Sequence, residues 1–234
     1  MSVIVHKAAQ AGNLAALSPE DRARYERQAE RQLRSAREAT ARGLWDAANV
    51  PRVYQGAELG NLSHLRTVPD GYVERSRHLA GMLTRPQAET FAVLGGWRTG
   101  KTELACGLIK SFCRAGRSAR YVKCLHLFAD IVSTRSPAAR ETLSGLIARY
   151  RRFDLLVLDE ITARTDSAFD ALIFRDLIDE RHNAVKKTLL MGNLQKSELS
   201  EYLGGAVVAR LNESGGVIDI PWGKLDFLPR AIKA

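Results

Sequence analysis

The chain is 234 residues long, 45% hydrophobic and formally +9 at neutral pH, which is enough length to bury a sizeable core without disulfide or metal staples. Its three cysteines, Cys106, Cys113 and Cys124, are odd in number and lack C-x-x-C spacing, which excludes a disulfide framework or zinc ribbon and points to a reducing cytoplasm. Nowhere do eighteen uncharged apolar residues run together and the opening apolar run is too short for a secretion signal, so no membrane role is expected, while the positive balance favours polyanionic partners.

Residues 1–17 carry no sustained period. Ser18-Pro19-Glu20-Asp21 then supplies an N-cap, a first-turn proline and first-turn acids, predicting a helix from there to about residue 42 with a stop at Gly43. Tyr25, Ala29, Leu33 and Ala36 give it a thin apolar stripe, which suits either a solvated arm or a helix that docks on a partner. Leu44 and Trp45 read as a hinge, and residues 49–54, with Pro51, as an extended linker. A short helix over residues 71–83 turns Tyr72, Leu79 and Met82 or Leu83 inward, and Arg85-Pro86 ends it.

Residues 91–94 form a short apolar run that leads into Gly95-Gly96-Trp97-Arg98-Thr99-Gly100-Lys101-Thr102, and residues 103–109 continue with helical spacing. Strand, glycine loop and helix in that order are the context in which G-x-x-x-x-G-K-[ST] binds phosphate. Glycines let backbone N–H groups curl around phosphate oxygens at the positive end of the helix. Lys101 is placed to reach the β- and γ-phosphates and Thr102 to put its hydroxyl on Mg²⁺.

Beyond the loop helix, residues 119–124 predict a strand and 125–131 a helix, and Pro137 starts another helix that ends at the basic cluster Arg149-Tyr150-Arg151-Arg152. That cluster is either a phosphate contact or a solvated helix end. Residues 153–158 are a continuous buried-strand run ending in Asp159-Glu160. Asp159 is expected to hold Mg²⁺, directly or through water, and Glu160 to act as the general base on the attacking water. Residues 166–182 read as an amphipathic helix with Phe169, Leu172, Ile173, Leu177 and Ile178 on one side. The strand at 187–192 ends in Asn193, which either orients the attacking water or caps a turn. Helical residues 197–203 and 206–212 are broken by Gly204-Gly205, and a last strand covers 217–220. Arg210 is either a surface arginine or one that reaches a neighbouring subunit's γ-phosphate.

With Ile178-Asp179-Glu180-Arg181, Lys187-Thr188, Asn193-Leu194 and Arg210-Leu211 in that order behind the two phosphate-site motifs, residues 49–222 resemble the DnaC/DnaI helicase loaders and the related IstB transposition ATPases of the AAA+ superfamily. The resemblance implies an AAA+ P-loop NTPase whose five-stranded parallel sheet is flanked by helices, with the strand ending at Asn193 lying between the strands that carry Gly95 and Asp159. It divides the chain into a helical N-terminal arm, 1–48, that grips a replicative DNA helicase and an ATPase domain, 49–234. It implies an ATPase that uses ATP and Mg²⁺, self-associates through its ATPase domains, contacts single-stranded DNA and loads the helicase. The IstB branch implies the alternative, an accessory ATPase that binds duplex DNA and recruits a transposase. Ala206 stands where many relatives carry a first arginine, which leaves Arg210 as the finger. Trp222-Gly223-Lys224-Leu225-Asp226 lacks the family's Ser-aromatic-Arg element, with Arg230 nearby, and Trp97 and Arg98 are bulkier than the usual loop filling.

Overall fold

The protein is described by a computed structural model that covers residues 18–61, 70–163 and 168–220. The readings for residues 1–17, Asp166, Trp222 through Asp226 and Arg230 lie outside these described residues. Five strands, β1 (Glu89–Gly95), β2 (Ala119–Lys123), β3 (Leu155–Asp159), β4 (Lys187–Gly192) and β5 (Gly216–Ile220), form one sheet in the order β2-β3-β4-β1-β5. Every pairing is parallel, and β4 lies between the two motif-bearing strands as the resemblance implied.

Alternation along the strands sends residues to two separate cores. Phe91, Val93, Leu155, Val157, Leu189 and Met191 join one cluster, while Ala92, Leu94, Leu156, Leu158 and Leu190 join the other. Helix α1 (Pro19–Ala47) meets the first face through its C-terminal end, together with α2 (Tyr72–Ala80) and α3 (Lys101–Arg114). Helices α4 (Cys124–Ser133), α5 (Leu143–Arg151), α6 (Ala168–Asn183) and α7 (Leu199–Ser214) cover the second. All three cysteines are buried thiols packed in these cores.

Helix α1 begins where expected, with the Ser18 hydroxyl accepting the Asp21 N–H at 3.1 Å. It does not stop at Gly43 but runs on to Ala47. Gly43 faces open space, so it costs the helix about 1 kcal/mol relative to alanine, and the next turn offsets that by docking. Leu44 and Trp45 pack on the first core, the Trp45 Nε1–H donates to Gln55 Oε1 at 2.8 Å, and the Lys110 ammonium lies 5.6 Å from the indole ring. The expected hinge is therefore an anchor. The expected extended linker is also replaced: Ala48 and Val50 are buried, and Arg52–Tyr54 is a short 3₁₀ turn. The segment folds back because it covers the outer edge of β2, where the Tyr121 N–H donates to the Ala48 carbonyl at 2.9 Å.

Three other expectations shift. Helix α5 starts at Leu143 rather than Pro137, because Thr142 supplies the cap, accepting the Gly145 N–H at 3.1 Å. On α6 the buried residues include Ile173, Phe174, Leu177 and Ile178, whereas Phe169 and Leu172 are about half exposed; the first turn projects beyond the core, and Arg135 lies 5.0 Å from the Phe169 ring. Two members of the basic cluster are engaged within the chain, Arg149 with Asp130 and Glu141 and Arg151 with Glu180. The break in α7 falls at Gly204, φ +78°, as read from the sequence.

Arg181 joins α6 to the sheet from a fully buried position. Its guanidinium donates to the carbonyls of Tyr150 (2.7 Å), Phe153 (2.9 Å) and Lys187, and to the Thr188 hydroxyl (3.0 Å). Burial lowers its pKa, with Asp154 pulling the other way, and the ring of carbonyls favours the charged form. Arg181→Leu strands those acceptors in the interior, so it is expected to destabilise the fold by about 3 kcal/mol, read as a lower urea midpoint.

Candidate active site

The C-terminal ends of β1, β3 and β4 open onto one edge of the sheet, the edge where open α/β folds place their ligands. A cleft of about 330 Å³ lies there, lined by Trp97, Arg98, Thr99, Gly100, Lys101, Thr102, Asp159, Glu160 and Asn193, all expected from the sequence, and by Tyr54 and Glu103, which were not. Gly95 and Gly96 open the loop but do not themselves line the cleft. Gly95 has φ +149°, and a Cβ there would come within 2.8 Å of the Ile220 carbonyl on the neighbouring strand, so only glycine lets the loop leave β1 in this way. Gly100 and Arg98 also take positive φ, 84° and 63°, which curls the loop into an anion nest at the start of α3. Trp97 is 75% exposed at its crest.

Lys101 is folded under this loop. Its ammonium donates to the Gly95 and Gly96 carbonyls at 2.8 and 2.6 Å and reaches the Thr99 hydroxyl at 3.3 Å. Burial lowers its pKa, and Asp159 partly restores it. Phosphate oxygens are better acceptors for an ammonium than carbonyls are, so this lysine can exchange one set for the other without leaving the nest.

Asp159 is buried at the end of β3, and each of its oxygens is engaged. Oδ1 accepts the Glu160 N–H at 2.8 Å, while Oδ2 accepts the Tyr121 phenol at 2.6 Å and the Thr102 hydroxyl at 3.3 Å. Burial and the adjacent Asp159 charge push the Tyr121 pKa far up, so the phenol stays a donor. Thr102 and Asp159 together present only oxygen, the donor set Mg²⁺ takes when nucleotide phosphates and water complete its shell. Among the described residues no cluster of three or more His, Cys, Asp or Glu could hold a metal unaided. The two residues therefore fit Mg²⁺ bound together with a nucleotide.

Glu160 adopts left-handed backbone, φ +58°, an arrangement that glutamate tolerates only under constraint and that clusters at functional positions. The constraint is visible: the Ile161 N–H donates to the Met191 carbonyl at the end of β4 (2.9 Å) and the Ala163 N–H returns to the Glu160 carbonyl (2.8 Å). The Lys123 ammonium donates to Glu160 Oε1 at 2.7 Å, a bond that raises the lysine's pKa. Asn193 lines the same cleft, and the 3₁₀ turn that follows, Lys196–Glu198, is capped by Gln195.

Arg210 does not line the cleft of its own chain. It lies on α7, with its guanidinium held by Asp179 at 3.0 Å and Glu213 at 2.8 Å. Sequence reading missed Tyr121, Lys123 and Tyr54. Strand pairing is the signal that finds the first two: Lys123 is the register partner of Asp159, and Tyr121 that of Val157. No helix among the described residues is long and apolar enough to cross a membrane.

The replicative helicase loader DnaC of Buchnera aphidicola subsp. Schizaphis graminum is 27% identical over 122 residues, 52% of this chain and 50% of its own length. DnaC of Escherichia coli K12 is also 27% identical, over 125 residues, 52% of this chain and 49% of its own. This chain thus spans about half the length of the curated relatives it matches. Among solved structures, the crystal structure of the DnaC helicase loader superposes with a TM-score of 0.61 at 18% identity over 73% of this chain and 99% of that one, a likeness of fold. A match to IstB-like ATP binding protein over residues 14–211 takes in helix α1, the glycine loop, both acids and Arg210, and the chain belongs to that family.

Proposed function

We propose that this protein is an ATP-driven loader that places a replicative DNA helicase on single-stranded DNA. The observation that carries the reading is the pairing of a cleft lined by the glycine loop, Asp159, Glu160 and Asn193 with helix α1, 29 residues of which none is buried. So long a surface helix on an ATPase core offers a partner-docking element. Residues 1–48 are the helicase-binding arm and 49–234 the ATPase domain, with the end of the arm anchored on that domain through Trp45.

In this reading the loop N–H groups and Lys101 bind the ATP phosphates, and Tyr54 and Trp97 flank the cleft mouth. Thr102 and Asp159 would hold Mg²⁺, which would supply positive charge to the nucleotide phosphates. Glu160 takes a proton from the attacking water, Asn193 orients that water, and Arg210 of an adjacent subunit reaches the γ-phosphate. Assembly of subunits and turnover are thereby coupled in the cytoplasm.

The family match also favours a second reading, a transposition accessory ATPase that binds duplex DNA and recruits a transposase. Tyr25 and Leu33 supply the test because they are exposed on α1, so replacing both with Glu leaves the core intact. Pull-down of the cognate replicative helicase is expected to be lost in the double variant while ATP binding persists. Undiminished helicase capture removes the arm from the reading. Absence of helicase capture by the unaltered chain, with preference for duplex over single-stranded DNA, selects the transposition reading.

A further inference from the structure

We propose that Tyr121 is a positioning residue that fixes the Asp159 carboxylate and ties it to the end of helix α1. The inference rests on the reading of Asp159 as a Mg²⁺ ligand. Leu155, Val157 and Asp159 alternate on one face of β3, and Tyr121 lies on the same face of the adjoining strand, beside Val157. Two residues of strand advance about 6.6 Å, the span a tyrosine covers from Cα to hydroxyl, so the phenol runs along the sheet and ends on Asp159 Oδ2 at 2.6 Å. Both residues are buried, so the bond is a short, charge-assisted one shielded from water. A carboxylate oxygen has two acceptor directions. The phenol fills one on Oδ2 and leaves the other facing Thr102, while the Glu160 N–H holds Oδ1.

The backbone of the same residue belongs to a different connection. Tyr121 is on the outer strand of the sheet, and its N–H and C=O on the free edge are taken by the first residues after α1. The Ala48 carbonyl accepts the N–H at 2.9 Å, and the Asn49 side-chain amide donates to the carbonyl at 3.1 Å. Asn49 reaches it from left-handed backbone, φ +60°. Next to it, Arg120 donates to the Ala47 carbonyl at 2.7 Å. A shift of the helix end therefore moves Tyr121, and the phenol transmits that shift to the carboxylate. Tyr121 thereby joins the end of the arm to the metal-holding edge of the cleft.

Equilibrium binding of a fluorescent ATP analogue, titrated with Mg²⁺ and repeated in EDTA, tests the proposal on the full chain. Tyr121→Phe keeps the buried ring and removes the hydroxyl. It is expected to raise the Mg²⁺ concentration for half-maximal tightening of nucleotide about tenfold, with binding in EDTA unchanged. Asn49→Gly keeps the backbone conformation and the phenol but cuts the side-chain link, and is expected to raise the Mg²⁺ requirement about threefold. An unchanged or lowered requirement in Tyr121→Phe overturns the positioning role. An unchanged requirement in Asn49→Gly overturns the link to α1. If the unaltered chain binds no nucleotide at any Mg²⁺ concentration, the reading of the cleft itself falls, and the proposal falls with it.

Discussion

Glu160→Gln is expected to cut ATP turnover by about 10²–10³-fold, within the range a positioned general base supplies, while leaving nucleotide affinity unchanged. The substitution is nearly isosteric. The amide oxygen can still accept the Lys123 ammonium that lies 2.7 Å from Oε1, and the left-handed turn is set by the Ile161 and Ala163 backbone bonds rather than by the side chain. What is lost is the basic oxygen. Glu160 is half exposed at the cleft, so its removal leaves no buried group unpaired and the fold should keep its thermal midpoint. The measurement is steady-state phosphate release beside equilibrium binding of an ATP analogue. A variant that hydrolyses ATP as fast as the unaltered chain removes Glu160 as the base. If both turn over only at background, the protein is an ATP-dependent interaction module in which bound nucleotide acts by its presence.

The parts of this site that could be read in the sequence are those whose chemistry is local. Gly95 through Thr102 is one turn of chain, and its Lys101 and Thr102 are fixed relative to it by the start of α3. Asp159 and Glu160 end one apolar run, and a buried parallel strand puts its functional end at its C-terminus. The sheet order followed from the resemblance, and Asn193 could be read because it ends a buried apolar run as Asp159 does. Tyr121 and Lys123 were illegible because their role depends on the pairing of β2 with β3, which brings residues 38 and 37 positions apart into hydrogen-bond contact. Neither residue departs from what an ordinary strand contains.

The element ends fail for a related reason. Gly43 is a fair stop signal, but tertiary docking of Leu44 and Trp45 overrides it. Pro137 suits a first helical turn, but Thr142 supplies the cap that the backbone uses. Phe169 and Leu172 match the helical period of α6, and period alone does not say where along the helix the core ends. For Gly43 and for α6 the local preference was read correctly and packing distant in sequence decided the outcome, whereas at Pro137 a competing local cap, Thr142 on the Gly145 N–H, won.

Arg210→Ala is expected to lower turnover of the assembled protein by about 10³-fold, within the range an arginine supplied to a developing phosphoryl charge provides, with ATP binding by the single chain intact. Any contact of this arginine with a γ-phosphate would have to be made in trans. Arg210 is absent from the cleft of its own chain, and Asp179 and Glu213 hold its guanidinium at the surface of α7. Those exposed ion pairs contribute little to stability, so a loss of turnover cannot be assigned to unfolding. They do orient the fork of donors that a γ-phosphate would take over from the carboxylates. Mixing separates the two roles for this arginine. Lys101→Ala subunits lack the phosphate-binding ammonium but retain Arg210, and Arg210→Ala subunits keep an intact cleft but lack the finger. Each alone is expected to be inactive, and an equimolar mixture is expected to regain activity, because a Lys101→Ala subunit can complete the cleft of its Arg210→Ala neighbour. A mixture no more active than its components, or an Arg210→Ala chain with full turnover, would leave Arg210 as a surface residue bridging α6 and α7. Arg210→Lys sharpens the result: a lysine keeps the charge but not the planar fork, so it is expected to recover only part of the activity if the arginine contacts phosphate, and all of it if a surface ion pair is the whole role.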